Sequence, residues 1–244
     1  MPATARSRQE AAAAARPLAE RIAFVRARTA PAPVPLVPEI LVHTAAEVTP
    51  LWHATAQELA GWDPAPFWAF PWAGGQALAR HVLDEPELVR GRRVFDFATG
   101  SGLVALAAAR AGAAHVTACD IDPFCEAAVA ANAALAGAVL EMRVGDPLDA
   151  PLPGFDVVLA GDVFYERELA ARSLAWFRRL AADGVTVLVG DPGRPYTPGE
   201  DLPIRATYEV PALPAIEAAP SLRTRVVEIV APTVEGHAGG MTRR

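Results

Sequence analysis

From residue 93 to residue 190 the chain alternates short, apolar, β-branched runs with longer stretches of helical composition. Residues 93–97, 115–120, 140–144, 155–160 and 185–190 read as strands, and 102–111, 123–135 and 166–182 as helices. Strand–helix alternation with short links restricts the fold to a mostly parallel sheet covered by helices on both faces. Two later runs, ATYEVPA and RTRVVEIVA, predict a terminal antiparallel pair.

The first strand and helix are joined in VFDFATGSGLVALAAARAG, residues 94–112. A helix start after a parallel strand offers unpaired N–H groups and a positive dipole end, and Gly100 and Gly102 let a ligand approach the backbone. GSGLVA with Asp120 twenty residues on fits a dinucleotide fingerprint, which by itself is a weak signal. Asp96 argues against it, because a carboxylate at the strand end repels a pyrophosphate and attracts an ammonium. S-adenosylmethionine combines an ammonium, a carboxylate and an adenosine. In this reading Asp96 takes the amino-acid end, directly or through water, and Asp120 takes the ribose hydroxyls. Asp146, after the third strand, accepts from the adenine amino group. Each acid alone reads as a cap or turn residue; three at successive strand ends form a set.

On these residues the chain resembles the class I, seven-β-strand methyltransferases over about residues 66–230. The resemblance implies a sheet of order 3-2-1-4-5-7-6 with the last strand antiparallel. It also implies cofactor contacts from Ala98, Thr99 and Ile121. Ala98 departs from the motif, standing where its first glycine usually stands. Asp122 reads as the cap of a helix that begins at Pro123.

The fourth strand leads into Asp162-Val163-Phe164-Tyr165-Glu166, a D-x-x-Y pattern similar to that of lysine-directed methyltransferases, and no NPPY-type motif follows it. PFWAFPWAGGQALAR (66–80) and VGDPGRPY (189–196) resemble the electron transfer flavoprotein β-subunit lysine methyltransferase family and its bacterial relatives. That resemblance implies methyl transfer to a protein lysine, on the flavoprotein β-subunit foremost and on a ribosomal protein as a further target. Alternatives are a small amine acceptor of nicotinamide type and a cofactor-binding member without catalysis. Asp162 then orients the ammonium or accepts from it. Tyr165 and Trp72 form an aromatic wall, and Glu166 either adds a carboxylate or starts a helix. The turn at Gly74 and Gly75 borders the methionine part of the cofactor or caps the next helix. Phe67, Trp68 and Phe70 read as packing residues, and Trp72 stands between packing and ligand contact. Asp191 and Arg194 either face the substrate or shape the turn at Pro192-Gly193.

The formal charge of −6 disfavours nonspecific nucleic-acid binding. All 22 basic residues are arginine, which composition bias explains. Two cysteines, Cys119 and Cys125, suit a reducing cytoplasm, and no apolar run is long enough for a membrane span. His43, His53, His81, His115 and His237 lack metal-ligand spacing, so no metal is expected. Residues 1–65 read as an N-terminal extension: a helix over 11–28, extended backbone at Pro31, Pro33, Pro35 and Pro38, and an ambiguous helix over 44–60. Residues 66–234 read as the methyltransferase domain and 235–244 as a frayed tail.

Overall fold

The computed structural model describes residues 17–46, 51, 65–148, 150–199, 202–211 and 219–231. The sequence readings for 11–16, for most of 44–60 and for the tail lie outside these. The described chain begins with helix α1 (Leu18–Arg28) and a hairpin, β1 (Ala30–Val34) and β2 (Val37–Thr44). After a 3₁₀ turn (Phe67–Ala69) come α2 (Ala73–Asp84), β3 (Arg93–Phe97), α3 (Leu103–Arg110), β4 (His115–Asp120) and α4 (Pro123–Ala136). They are followed by β5 (Glu141–Val144), β6 (Val157–Gly161), α5 (Arg167–Ala182), β7 (Thr186–Asp191), β8 (Ile204–Pro211) and β9 (Ser221–Ile229).

The large sheet has the order β5-β4-β3-β6-β7-β9-β8. Counted from β3, this is 3-2-1-4-5-7-6, and β9 runs antiparallel to both neighbours, as the sequence implied. The reversal of direction on either side of β3 places a crevice at the carboxyl ends of β3, β4 and β6, where open α/β sheets bind ligands.

The two faces of the sheet are filled differently. Val94, Val116, Val157, Leu159 and Leu188 face α2 and α3, whose buried residues are mainly small, Ala77, Ala79, Ala105, Ala107 and Ala108 among them. Small side chains let two helices and the hairpin crowd onto that face. Phe95, Phe97, Val158 and Val187 face the single helix α5, and there Phe155, Trp176 and Phe177 fill the volume. Period-2 alternation in each strand delivers one residue set to each side.

The N-terminal prolines are not merely extended. Pro31 and Pro33 lie in β1, Pro38 in β2 and Pro35 in the turn between them, forming a two-stranded sheet apart from the large one, where absent N–H donors are tolerated. Buried contacts dock this extension on α4. Arg21 pairs with Glu126 at 2.7 Å and donates to the Pro123 carbonyl. Phe24 meets Trp68 and Phe124 edge-on. Asn132, fully buried on α4, accepts from His43 N at 2.7 Å and donates to Ser101 O at 2.8 Å, linking the hairpin to the glycine turn.

Candidate active site

A cleft of about 610 Å³ opens at the carboxyl ends of β3, β4 and β6, within the range of small-molecule sites. Its nucleotide-like end is built by the β3–α3 turn and β4. Ala98 holds a left-handed φ of 53°, and Gly100 and Gly102 follow at 54° and 82°. This left-handed turn leads into α3, and its N–H groups are held within the protein, Thr99 N by Cys119 O, Gly100 N by Asp120 and Gly102 N by Thr99 O. Asp120 Oδ2 accepts from Gly100 N at 3.0 Å and Oδ1 from Asp122 N at 3.0 Å. The Cys125 thiol and the Ile121 N–H also donate toward this carboxylate. Burial raises the Asp120 pKa above the ordinary carboxylate value. Asp122 caps Phe124 N at 2.7 Å, as its place before Pro123 predicted, and burial with the nearby Asp120 charge pushes its pKa to about 8. Asp146 lines the cleft beyond β5, with Oδ1 on Leu148 N and Oδ2 on Arg172, both at 3.0 Å.

Ala98, Thr99, Gly100, Asp120, Ile121, Asp146, Trp72 and Gly75 all line the cleft. Asp96, Gly102 and Gly74 are placed behind its surface. Asp96 is buried under the turn, where Oδ2 accepts from the Thr99 hydroxyl and from Ala105 N, and burial raises its pKa to about 7. Its visible role is to fix the turn to α3 from behind the cleft, a position compatible with the water-mediated form of the expected contact rather than the direct one. Gly102 starts α3 against Val129, where a Cβ would lie 3.0 Å from Val129 Cγ2. Gly74 lies against Gly190 and Asp162: a Cβ there would sit 2.2 Å from Gly190 O.

The other end of the cleft brings together all four residues expected at the acceptor side. Asp162 has a left-handed φ of 55°, a conformation that aspartate tolerates better than most residues. It is held from three directions. Its N–H reaches Gly190 O at 2.9 Å, its Oδ2 takes Gly75 N at 3.1 Å, and its Oδ1 takes Arg194 Nε and Nη2 at 2.9 and 2.6 Å. Burial outweighs Arg194 and lifts the Asp162 pKa to about 6. The Arg194 guanidinium lies 5.8 Å from the Trp72 ring centroid. Trp72 meets Phe67 edge-on at 5.5 Å, and Phe67 meets Tyr165 at 5.5 Å. Tyr165 and Phe67 are 43% and 42% exposed, so this wall faces open space. Glu166 is exposed at the start of α5 and makes no side-chain cap.

Two members of this end were not expected. Phe67 read as packing, but only Trp68 and Phe70 of that group are buried; Phe67 bridges Trp72 and Tyr165. Arg194 was noted in its turn without its partner, because Asp162 is 32 residues away on the neighbouring strand end. Six carboxylates and two guanidiniums, Arg172 and Arg194, line the cleft, a balance that suits cationic ligands.

Sheet order, left-handed turn and strand-end acids define a class I methyltransferase fold. Residues 77–163 match the family model of ribosomal protein L11 methyltransferase (PrmA). The chain is 39% identical over 139 residues to the electron transfer flavoprotein beta subunit lysine methyltransferase of Rattus norvegicus, covering 56% of this chain and 54% of that protein. The protein of the same name from Xenopus laevis is 36% identical over 173 residues, 70% of each chain. The Caenorhabditis elegans homolog is 30% identical over 184 residues, covering 65% of this chain and 71% of that protein. The chain belongs to the electron transfer flavoprotein beta subunit lysine methyltransferase family. It spans about half the length of the rat relative.

Proposed function

We propose that the protein transfers methyl groups from S-adenosylmethionine to a lysine side chain of a protein, the electron transfer flavoprotein β-subunit. The observation that carries this reading is one continuous cleft with two chemically distinct ends. The Gly100 turn and Asp120 lie at one, and Asp162 with the aromatic wall at the other. The donor set fits the cofactor. Asp120 lines the cleft at the end of β4, where it can meet a ribose diol, and the surplus of carboxylates suits a sulfonium cation. Bound there, the cofactor supplies an activated methyl group for in-line displacement.

The chain's own residues handle the acceptor. Trp72, Phe67 and Tyr165 strip water from an incoming lysine and stabilise positive charge at its nitrogen. Asp162 orients that nitrogen from a fixed position, since its backbone N–H is held by Gly190 O and its Oδ2 by Gly75 N. Glu166 adds a mobile carboxylate at the rim. The amine proton leaves to water, with no strong base required among these groups.

The family names of the relatives support a protein acceptor, and the L11 methyltransferase match keeps a ribosomal protein as a further target. We divide the chain into an extension (1–65), a methyltransferase domain (66–234) and a tail (235–244). We place the protein in the cytoplasm. Two buried free thiols fit a reducing compartment, and no helix among the described residues is long and apolar enough to cross a membrane. Incubating the purified protein and methyl-labelled cofactor with a lysate of its source organism tests the acceptor class. A labelled protein band is expected; label confined to small molecules contradicts the proposal.

A further inference from the structure

Arg194 does at the acceptor end what a substrate lysine would have to do. Its guanidinium forks onto Asp162 Oδ1 and lies over the face of Trp72, so one cation already uses the carboxylate and the aromatic surface assigned above to the acceptor. A second cation cannot take the same oxygen and the same ring face while Arg194 remains. The turn that carries Arg194 also carries Asp191, which is 3% exposed. Asp191 Oδ1 accepts from Gly193 N, Arg194 N and Thr197 Oγ1, at 2.7, 3.0 and 2.6 Å. Asp191 Oδ2 is buried and has no hydrogen-bond partner among the described residues. A buried carboxylate oxygen without a donor is costly and calls for an explanation. Arg194 is thus tied to two buried carboxylates, its guanidinium to Asp162 and its backbone N–H to Asp191.

We propose that Arg194 is a specificity-determining placeholder: it holds the acceptor cation's position on Asp162 and Trp72, and passes to Asp191 Oδ2 when the substrate ammonium arrives. The inference rests on the acceptor-end reading above and deepens it. The exchange keeps two carboxylates matched by two cations, so only a cationic acceptor leaves the buried cluster neutral. A neutral amine or alcohol would leave Arg194 in place and the channel blocked. Selectivity for a charged side chain then comes from an internal ion-pair exchange, with Asp191 as a positioning residue acting through Arg194.

Asp191→Asn removes the receiver's charge while its amide oxygen still accepts the three turn bonds, each more weakly than a carboxylate does. Titration with n-butylammonium chloride, followed by tryptophan emission, reads occupation of the Trp72 face without needing catalysis. We expect saturable binding in the wild type and at least tenfold weaker binding in Asp191→Asn, with both proteins showing a cooperative melting transition. In an Arg194→Gln background, Asp191→Asn has no further effect on amine binding. Equal amine affinity in the wild type and Asp191→Asn overturns the proposal. Absence of saturable binding in the wild type overturns it too. Methyl transfer to the β-subunit, assayed alongside, separates the two readings. A wild type that binds the amine as expected but methylates no protein contradicts the proposed reaction and leaves the exchange standing.

Discussion

Gly74 and Gly190 meet backbone to backbone: a Cβ on Gly74 would lie 2.2 Å from Gly190 O, and one on Gly190 would lie 2.0 Å from Gly74 O. This contact sets the start of α2 against the end of β7 and holds Gly75 N within reach of Asp162. Backbone cannot yield as a flexible side chain can. Gly74→Ala should therefore destabilise the protein by about 3 kcal/mol or more and disorder the acceptor end. Gly75→Ala, whose Cβ would meet nothing nearer than 3.9 Å, should keep wild-type stability. Denaturant unfolding of the two variants checks the contrast; equal losses would contradict it.

Ala98 stands at a φ of 53°, where a Cβ is unfavourable. Ala98→Gly should raise stability by about 1 kcal/mol, the left-handed strain relieved net of glycine's greater unfolded-state freedom. Cofactor affinity should not change, since the turn already has this shape. Thermal melting with and without cofactor tests both statements.

Asp120 holds Gly100 and Asp122 by one oxygen each. Asp120→Ala should weaken S-adenosylmethionine binding by about tenfold to a hundredfold, the loss expected when charge-assisted hydrogen bonds disappear. Calorimetry measures it, and unchanged affinity removes Asp120 from the ribose role.

Three acids with raised pKa values contribute to the pH dependence of stability. Burial holds Asp162 near 6, Asp96 near 7 and Asp122 near 8, all above the ordinary 3.8. Between 3.8 and these values the folded protein keeps protons that the unfolded chain has released. Stability from these groups is therefore greatest in acid and falls as pH rises through 6 to 8. Asp122→Asn keeps a capping side chain on Phe124 N and removes the highest of these shifts. The wild-type melting temperature should drop from pH 5 to pH 8, and the variant's should drop less. Parallel profiles would contradict the assignment.

The sheet was legible because each strand is short, apolar and bounded by its own punctuation. β3 and β4 lie at the residues the sequence marks, and the other β3–β7 strand limits differ by one or two positions. The helix after Trp72 begins at Ala73, so Gly74 and Gly75 form its first turn rather than a loop that caps it. The proline-rich stretch gave extended backbone but not its pairing: proline fixes φ and says nothing about which strand lies alongside. At the site, residues positioned by one strand end and its turn were readable, Asp120, Asp162 and Tyr165 among them. The Asp162–Arg194 pair was not, because it joins two strand ends through the order of the sheet. Phe67 was misread for a simpler reason: an aromatic residue carries no mark of whether its ring faces core or cleft.

The most direct test is the mass of purified electron transfer flavoprotein β-subunit after incubation with S-adenosylmethionine and the enzyme, with Tyr165→Phe and Asp162→Asn variants in parallel. Whole methyl increments on a lysine-bearing peptide are expected with the wild type and should fall sharply with both variants, although all three bind the cofactor. A β-subunit that stays unmodified beside a wild-type protein binding S-adenosylmethionine normally would contradict the assignment of the acceptor.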